Sequence, residues 1–298
     1  MSKQAVHKAL DSELLAQERV GYLRTMIEEI RHDHPTMSLR AMYYKIRPQG
    51  IGRDKFERLA QDLGYSIERK CWTARTTDST GVERFDNLLM NLSLSRPDQA
   101  WSSDITYFAI GERFYYLTFI IDCYTRRIIG HSTSCDLTAQ GTTISALQKA
   151  LKTRGRVNPG IVFHSDGGGQ YYSKQFLKLT KQAQMQNSMC EMAYENGKAE
   201  RINGVIKNNY LRYWQINSHL ELKRSVDRAV RLYNYEKPHK ELRYRTPIDY
   251  ENQLRNLAVR TRPTMTKSFD AKMKITGASS PGLSSRTKPQ NRNVISAN

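Results

Sequence analysis

The apolar run Ile161-Val162-Phe163 leads into His164-Ser165-Asp166 and then into Gly167-Gly168-Gly169-Gln170-Tyr171. The run has strand length and β-branched character, and the glycines end it. Asp166 therefore stands at the carboxyl end of a strand, beside backbone that can approach a ligand closely. A carboxylate there is either a turn residue accepting local backbone hydrogen bonds or a ligand for something positive. Two further acids make the second reading worth following. Asp104 lies in the strand-like stretch Trp101 to Ile110, and Glu200 in the helical stretch Glu195 to Trp214. On a helix Glu200, Asn203 and Lys207 share one face, while Ala199, Ile202 and Ile206 form the face that packs. Three converging carboxylates repel one another unless a cation sits among them. Mg²⁺ takes a few carboxylates together with phosphate oxygens. Two such ions about 4 Å apart can activate an attacking oxygen and stabilise a leaving one at a phosphodiester. Amides would keep the shape and lose the charge, so this chemistry needs acids at all three places.

The charge balance points to a polyanion. The 298 residues hold 47 Lys and Arg against 29 acids, a formal charge of +18 spread along the chain. Nucleic acid, gripped through its phosphates, is the simplest partner. No apolar run approaches the roughly 18 residues of a membrane span, and the N-terminus has no apolar signal-peptide core. Cys71, Cys123, Cys135 and Cys190 form no C-x-x-C pair. They read as scattered thiols of a reducing compartment rather than a zinc site.

The elements that must position the acids follow in chain order. Residues 8 to 34 show helical apolar spacing at Leu10, Leu14, Val20, Leu23, Ile27 and Ile30, ended by Pro35. Ser38 offers an N-cap for Leu39 to Ile46, and a second short helix runs from Asp54 to Leu63. The pair suggests a helix-turn-helix, with Arg53, Lys55 and Arg58 where DNA readers place base-contacting side chains. Many such hairpins are only packing units. Residues 71–99 read as a basic extended linker. From residue 100 the order is three strands in a meander, then helix, strand, helix, strand and two helices. The central strand, around Phe114 to Tyr124, is apolar enough to be buried on both faces. The expected fold class is α/β, a ribonuclease-H-like mixed five-stranded sheet with flanking helices over 100–255, preceded by an all-α region over 1–70. Residues 256–298 are basic, poor in large apolar side chains, and expected to be disordered.

In such a sheet the strands of Asp104 and Asp166 are neighbours. The chain then matches a family at four spaced motifs: Trp101-x-x-Asp104-Ile-Thr-Tyr107; His164-Ser-Asp166-x-Gly-x-Gln170-Tyr171; Glu195-Asn196-x-x-x-Glu200-Arg-x-Asn203-Gly-x-x-Lys207; and Tyr233-Asn234-x-x-Lys237-Pro-His239-x-x-Leu242-x-x-x-Thr246-Pro247. Together these closely resemble bacterial insertion-sequence transposases with a retroviral-integrase-type core, of the kind encoded by a second, overlapping reading frame. The resemblance covers roughly residues 12 to 255. It implies that Asp104, Asp166 and Glu200 are the catalytic, metal-binding Asp-Asp-Glu triad, served by Mg²⁺ or Mn²⁺, two ions in all. It implies DNA cleavage and strand transfer on element ends and target, and a bacterial, cytoplasmic, nucleoid-associated protein. It also implies a homo-oligomer during reaction and an upstream-frame DNA-binding protein or fusion as a possible partner. Lys207 matches the family's basic residue near transferred DNA. One departure is Glu195 where many relatives have Asp, which makes it a rival acid, although a helix start suits an acid anyway.

Other polar residues have quieter readings. Asp122 is expected to be structural and His164 a hydrogen-bonded sheet histidine. His239 is expected to fix a turn. Gln170 and Tyr171, from the glycine loop, and Asn203, from the helix, are candidates to touch DNA. Two rival functions remain open at this level: a nuclease of the same fold that never joins strands, and a catalytically inactive or domesticated DNA-binding protein. The second is expected to have lost an acid.

Overall fold

The computed structural model describes residues 3–67, 85–90, 92–190 and 196–266. Helix α1 (Lys3–Asp33) is longer than its core-facing stripe. Leu23, Ile27 and Ile30 are buried, whereas Leu14, part of the expected stripe, is 58% exposed. The buried three pack with Met42 of α2 (Leu39–Ile46), with Phe56 and Ala60 of α3 (Arg53–Asp62), and with Met37 between. Ser38 caps α2 as its type and position suggest, its hydroxyl accepting from Ala41 N.

A two-residue strand β1 (Ser93–Leu94) precedes the meander of β2 (Ala100–Ile110), β3 (Arg113–Asp122) and β4 (Ile128–Ser134). After it come α4 (Ser145–Arg154), β5 (Val162–Ser165), α5 (Lys174–Gln182) and β6 (Gln186–Met189). Strand order across the sheet is β4-β3-β2-β5-β6. β2–β3 and β3–β4 are antiparallel, and β2–β5 and β5–β6 are parallel. This is the mixed five-stranded, ribonuclease-H-like sheet. Only Ala100 to Ser102 of β2 pair with β5. Beyond them no strand among the described residues covers that edge, so the β2–β3 hairpin extends past the sheet with one side free.

β3 is buried on both faces, as its apolar run requires. Ile120 packs with Trp101, Phe163, Leu147 and Phe176 beneath α4 and α5. Leu117, Phe119 and Ile121 face the other way, onto Ile202 and Ile206 of α6 (Gly197–Asn209) and Val226, Ala229 and Tyr233 of α7 (His219–Tyr235). Gly130 lets α4 lie close on β4. A Cβ there would stand 2.3 Å from Ala146 O.

Three boundaries differ from the sequence reading. The helix expected to reach Trp214 stops at Asn209, because Tyr210 leaves helical geometry and buries itself against His34, its hydroxyl 3.0 Å from Nδ1. The helix expected from Thr138 opens with a π turn over Gln140–Ile144. The expected disorder from residue 256 does not hold for 256–266. There α8 (Pro247–Arg255) is followed by β7 (Met265–Thr266), which pairs with β1, while Tyr124 Oη donates to Pro263 O at 2.7 Å. The linker residues 68–84, Glu195 and the tail from 267 lie outside the described residues.

Candidate active site

Strand alternation puts Ser102 and Asp104 on the α6 side of β2, and α6 is held there by its own residues. Asn196, just before the helix, accepts from Ser102 Oγ at 2.5 Å and donates to Ser103 O at 2.9 Å. Lys198 Nζ donates to Cys123 O at 3.1 Å, at the end of β3. One turn further, Asn203 Nδ2 donates to Asp104 Oδ2 at 2.7 Å. Asp166 follows β5 directly, and its Oδ1 accepts from Gly168 N at 3.2 Å. A Cβ on Gly168 would come 3.1 Å from that oxygen, so the glycine allows the close approach.

The three acids share one electrostatic environment. Burial, together with the carboxylates of Asp166 and Glu200, pushes Asp104 up to about 8. Burial raises Asp166 above the usual carboxylate range, against the hydrogen bond from Gly168. Glu200 is raised by burial and by Asp166. The acids are nevertheless not drawn tightly together. Among the described residues no three His, Cys, Asp or Glu side chains stand close enough to hold a metal ion. Asp104 is turned to Asn203, and Glu200 lies toward solvent. The donor set itself fits a hard divalent cation. It consists of three carboxylates whose negative charge is costly where it stands, beside Asn203 Oδ1, a buried oxygen with no hydrogen-bond partner.

Two integrase core domain families match, over residues 95–194 and 181–247, so that together they span half of the chain. The chain is 27% identical over 258 residues to the uncharacterized 31 kDa protein of insertion element IS600 of Shigella sonnei, covering 84% of this chain and 91% of that one. It is 29% identical to the transposase of insertion sequence element IS629 of Shigella sonnei, over 69% of this chain and 71% of the relative. It is 30% identical to transposase InsF of IS3A of Escherichia coli K12, over 63% and 62%. The chain belongs to the insertion-sequence transposases with an integrase core. Among solved structures, the magnesium complex of the HTLV-2 integrase catalytic core domain overlaps 52% of the chain and 97% of its own, with 21% identity and TM-score 0.43.

Around the acids of this transposase the remaining candidates divide. Lys207 lies on the acids' side of α6. Its Nζ donates to Thr106 Oγ1 at 2.9 Å and to Tyr107 O at 3.0 Å, and burial followed by Arg212 lowers its affinity for a proton. Gln170 Nε2 donates to Leu137 O at 3.1 Å. Tyr171 corrects the sequence reading. It is 3% exposed, its ring lies among Phe163 and Phe176, and its hydroxyl pairs with Ser103 Oγ at 2.9 Å, so it presents no surface to DNA. Asn203 is likewise buried, with its Nδ2 donating to Asp104 Oδ2. In the helix-turn-helix-like pair, Lys55 and Arg58 are exposed on α3, while Arg53 is bound to Asp54 at 2.8 Å.

The structural readings of the other polar residues agree with the geometry. His164 Nδ1 pairs with Ser188 Oγ at 2.9 Å inside the sheet. Asp122 accepts from the backbone of Asp98, Tyr124 and Thr125, and His239 N donates to Arg245 O across a turn. Sequence reasoning quoted Asn196 in the third motif but gave it no role; its two bonds to β2 supply one. The same reasoning missed the buried group of Arg154, Asp98, Asp122 and Glu251, whose members come from four distant segments. Among the described residues no helix is long and apolar enough to cross a membrane.

Proposed function

We propose that this transposase cuts DNA at the ends of its element and joins the freed 3′-hydroxyl to a target phosphodiester, with Asp104, Asp166 and Glu200 as its catalytic acids. The observation that carries the assignment is geometric: β2, which holds Asp104, pairs with β5, which leads into Asp166, and Asn203 on Glu200's own helix donates to Asp104, while burial raises all three acids above their ordinary values. The three carboxylates would hold Mg²⁺ or Mn²⁺, two ions in all. When bound, such ions lower the pKa of the attacking oxygen and offset charge on the leaving one. Asn203 fixes which oxygen of Asp104 points away from the helix. Lys207 holds a phosphate beside the acids. The glycines after Asp166 let a strand lie close to the backbone. No side chain needs to form a covalent link to DNA. Joining two ends calls for at least two protomers in the reacting complex. The helix-turn-helix-like region over 1–70 would add contacts through Arg53, Lys55 and Arg58, and an upstream-frame DNA-binding protein or fusion would add recognition of the ends.

The test is isosteric charge removal. Asp104→Asn, Asp166→Asn and Glu200→Gln are each expected to lower strand transfer by about 10³-fold or more while DNA affinity stays within about threefold. Transfer retained in any one of them removes that residue from the triad. Glu195→Gln is the control for the neighbouring acid, and cleavage without joining in the wild type would make the protein a nuclease.

A further inference from the structure

The edge of β2 leads from Asp104 to a half-exposed aromatic pair. Tyr107 is 47% and Phe114 55% exposed, with ring centroids 5.4 Å apart at 87°. They share a face of the hairpin, since Tyr107 pairs with Tyr116 and Ala109 with Phe114. Strand alternation puts this face opposite the one that carries Asp104. Lys207 bridges the two sides. It rises from α6, reaches over the uncovered edge of β2 to Tyr107 O, and places its Nζ 4.9 Å from the centre of the Tyr107 ring. Arg212 adds positive charge beside it. Two large exposed rings next to a cluster of cations form the pairing by which proteins hold single-stranded nucleic acid, rings for the bases and cations for the phosphates. The shelf starts three residues from Asp104, about 10 Å along the strand. A strand whose phosphodiester lies at the acids would cross this edge with its next bases at the rings.

We infer that Tyr107 and Phe114 form a stacking shelf for unpaired bases of the DNA strand engaged at Asp104, with Lys207 taking the intervening phosphate. This rests on the reading of the chain as a DNA strand-transfer enzyme. It adds that the enzyme prefers ends whose terminal bases are unpaired. A second copy of the chain is the other occupant such a face could have, and the test separates the two.

The full chain, without divalent metal, is titrated with a duplex that is blunt or carries a short 3′ overhang containing 2-aminopurine. The overhang is expected to improve affinity about tenfold and to quench the fluorophore, the effect of stacking one base on a ring. Tyr107→Leu combined with Phe114→Leu should cancel both the preference and the quench and leave the salt dependence of binding unchanged. Tyr107→Trp with Phe114→Trp should keep both and also shows that the hairpin tolerates substitution. An overhang preference that survives the double leucine variant, or is absent from the wild type, overturns the shelf. So does a leucine variant that loses self-association while keeping the preference. None of these results bears on strand transfer by the wild type, which tests the triad separately.

Discussion

At the scale of single residues, Asn203 determines how Asp104 presents its oxygens. The amide donates to Oδ2 and so favours the charged carboxylate, in a place where burial and two neighbouring acids disfavour it. Asn203→Ala removes that donor without touching any of the three carboxylates. Strand transfer is expected to fall about 10–100-fold, as for other groups that orient metal-binding carboxylates, and to recover partly as Mg²⁺ is raised. A loss that does not respond to metal would mean that Asn203 acts elsewhere. Lys207 makes a different claim. It is held by Thr106 and Tyr107, with Nζ capacity left for a phosphate. Lys207→Ala should weaken binding to all sequences alike and lower the slope of log K against log salt by about 1. An unchanged slope in a binding titration would argue against a phosphate contact.

At the scale of elements, α6 gathers the third acid and two of its polar neighbours. It carries Glu200, Asn203 and Lys207, and its start is fastened to β2 by the two buried hydrogen bonds of Asn196. Asn196→Ala leaves Ser102 Oγ and Ser103 O to find other partners. A cost of about 1–3 kcal/mol is expected in thermal unfolding, with strand transfer falling further than DNA affinity because Glu200 and Asn203 move together. Equal losses in both assays would reduce Asn196 to a stability residue. The polar face of α6 was legible in the sequence because helical spacing is local: Glu200, Asn203 and Lys207 declare it within eight positions. β3 was legible for the same reason, its run from Leu117 to Ile121 allowing no solvated face. The end of α6 was not. Tyr210 leaves the helix to reach His34, far away in sequence, and no local pattern encodes a partner at that distance. Tyr171 failed similarly, since a tyrosine after three glycines can turn either way and Trp101, Ser103 and Phe176 together make the inward position favourable.

At the scale of the whole molecule, the orientation of α3 relative to Asp104 depends on how the N-terminal helices seat on the core. Tyr44 stacks on Tyr244 with centroids 4.1 Å apart, Lys45 meets Glu236 at 3.1 Å, and Arg228 binds Asp33. Those ion pairs are partly exposed and contribute little each. His34 is different, being 2% exposed with its Nδ1 on the Tyr210 hydroxyl. Burial first, and then the charge of Lys45, hold its imidazole down at about 4, from an ordinary 6.5. The folded protein therefore binds fewer protons than the unfolded chain between about pH 4 and 6.5. The stability contributed by neutral His34 is fully present above that window and is lost as pH falls through it. His34→Gln keeps a donor near Tyr210 and cannot titrate. Thermal unfolding of the wild type should lose on the order of 2 kcal/mol more than the variant on acidification across the window. Carboxylates remote from His34 contribute alike to both proteins and cancel in the difference, whereas Glu236, 3.6 Å from Nε2, acts together with the imidazole and is part of what the comparison reads. Parallel curves would show that His34 is not the group whose protonation loosens the seat. Divergence in DNA affinity over the same window, at pH values where the triad variants still bind, would show that the seating of α1 to α3 sets how the molecule presents DNA to its acids.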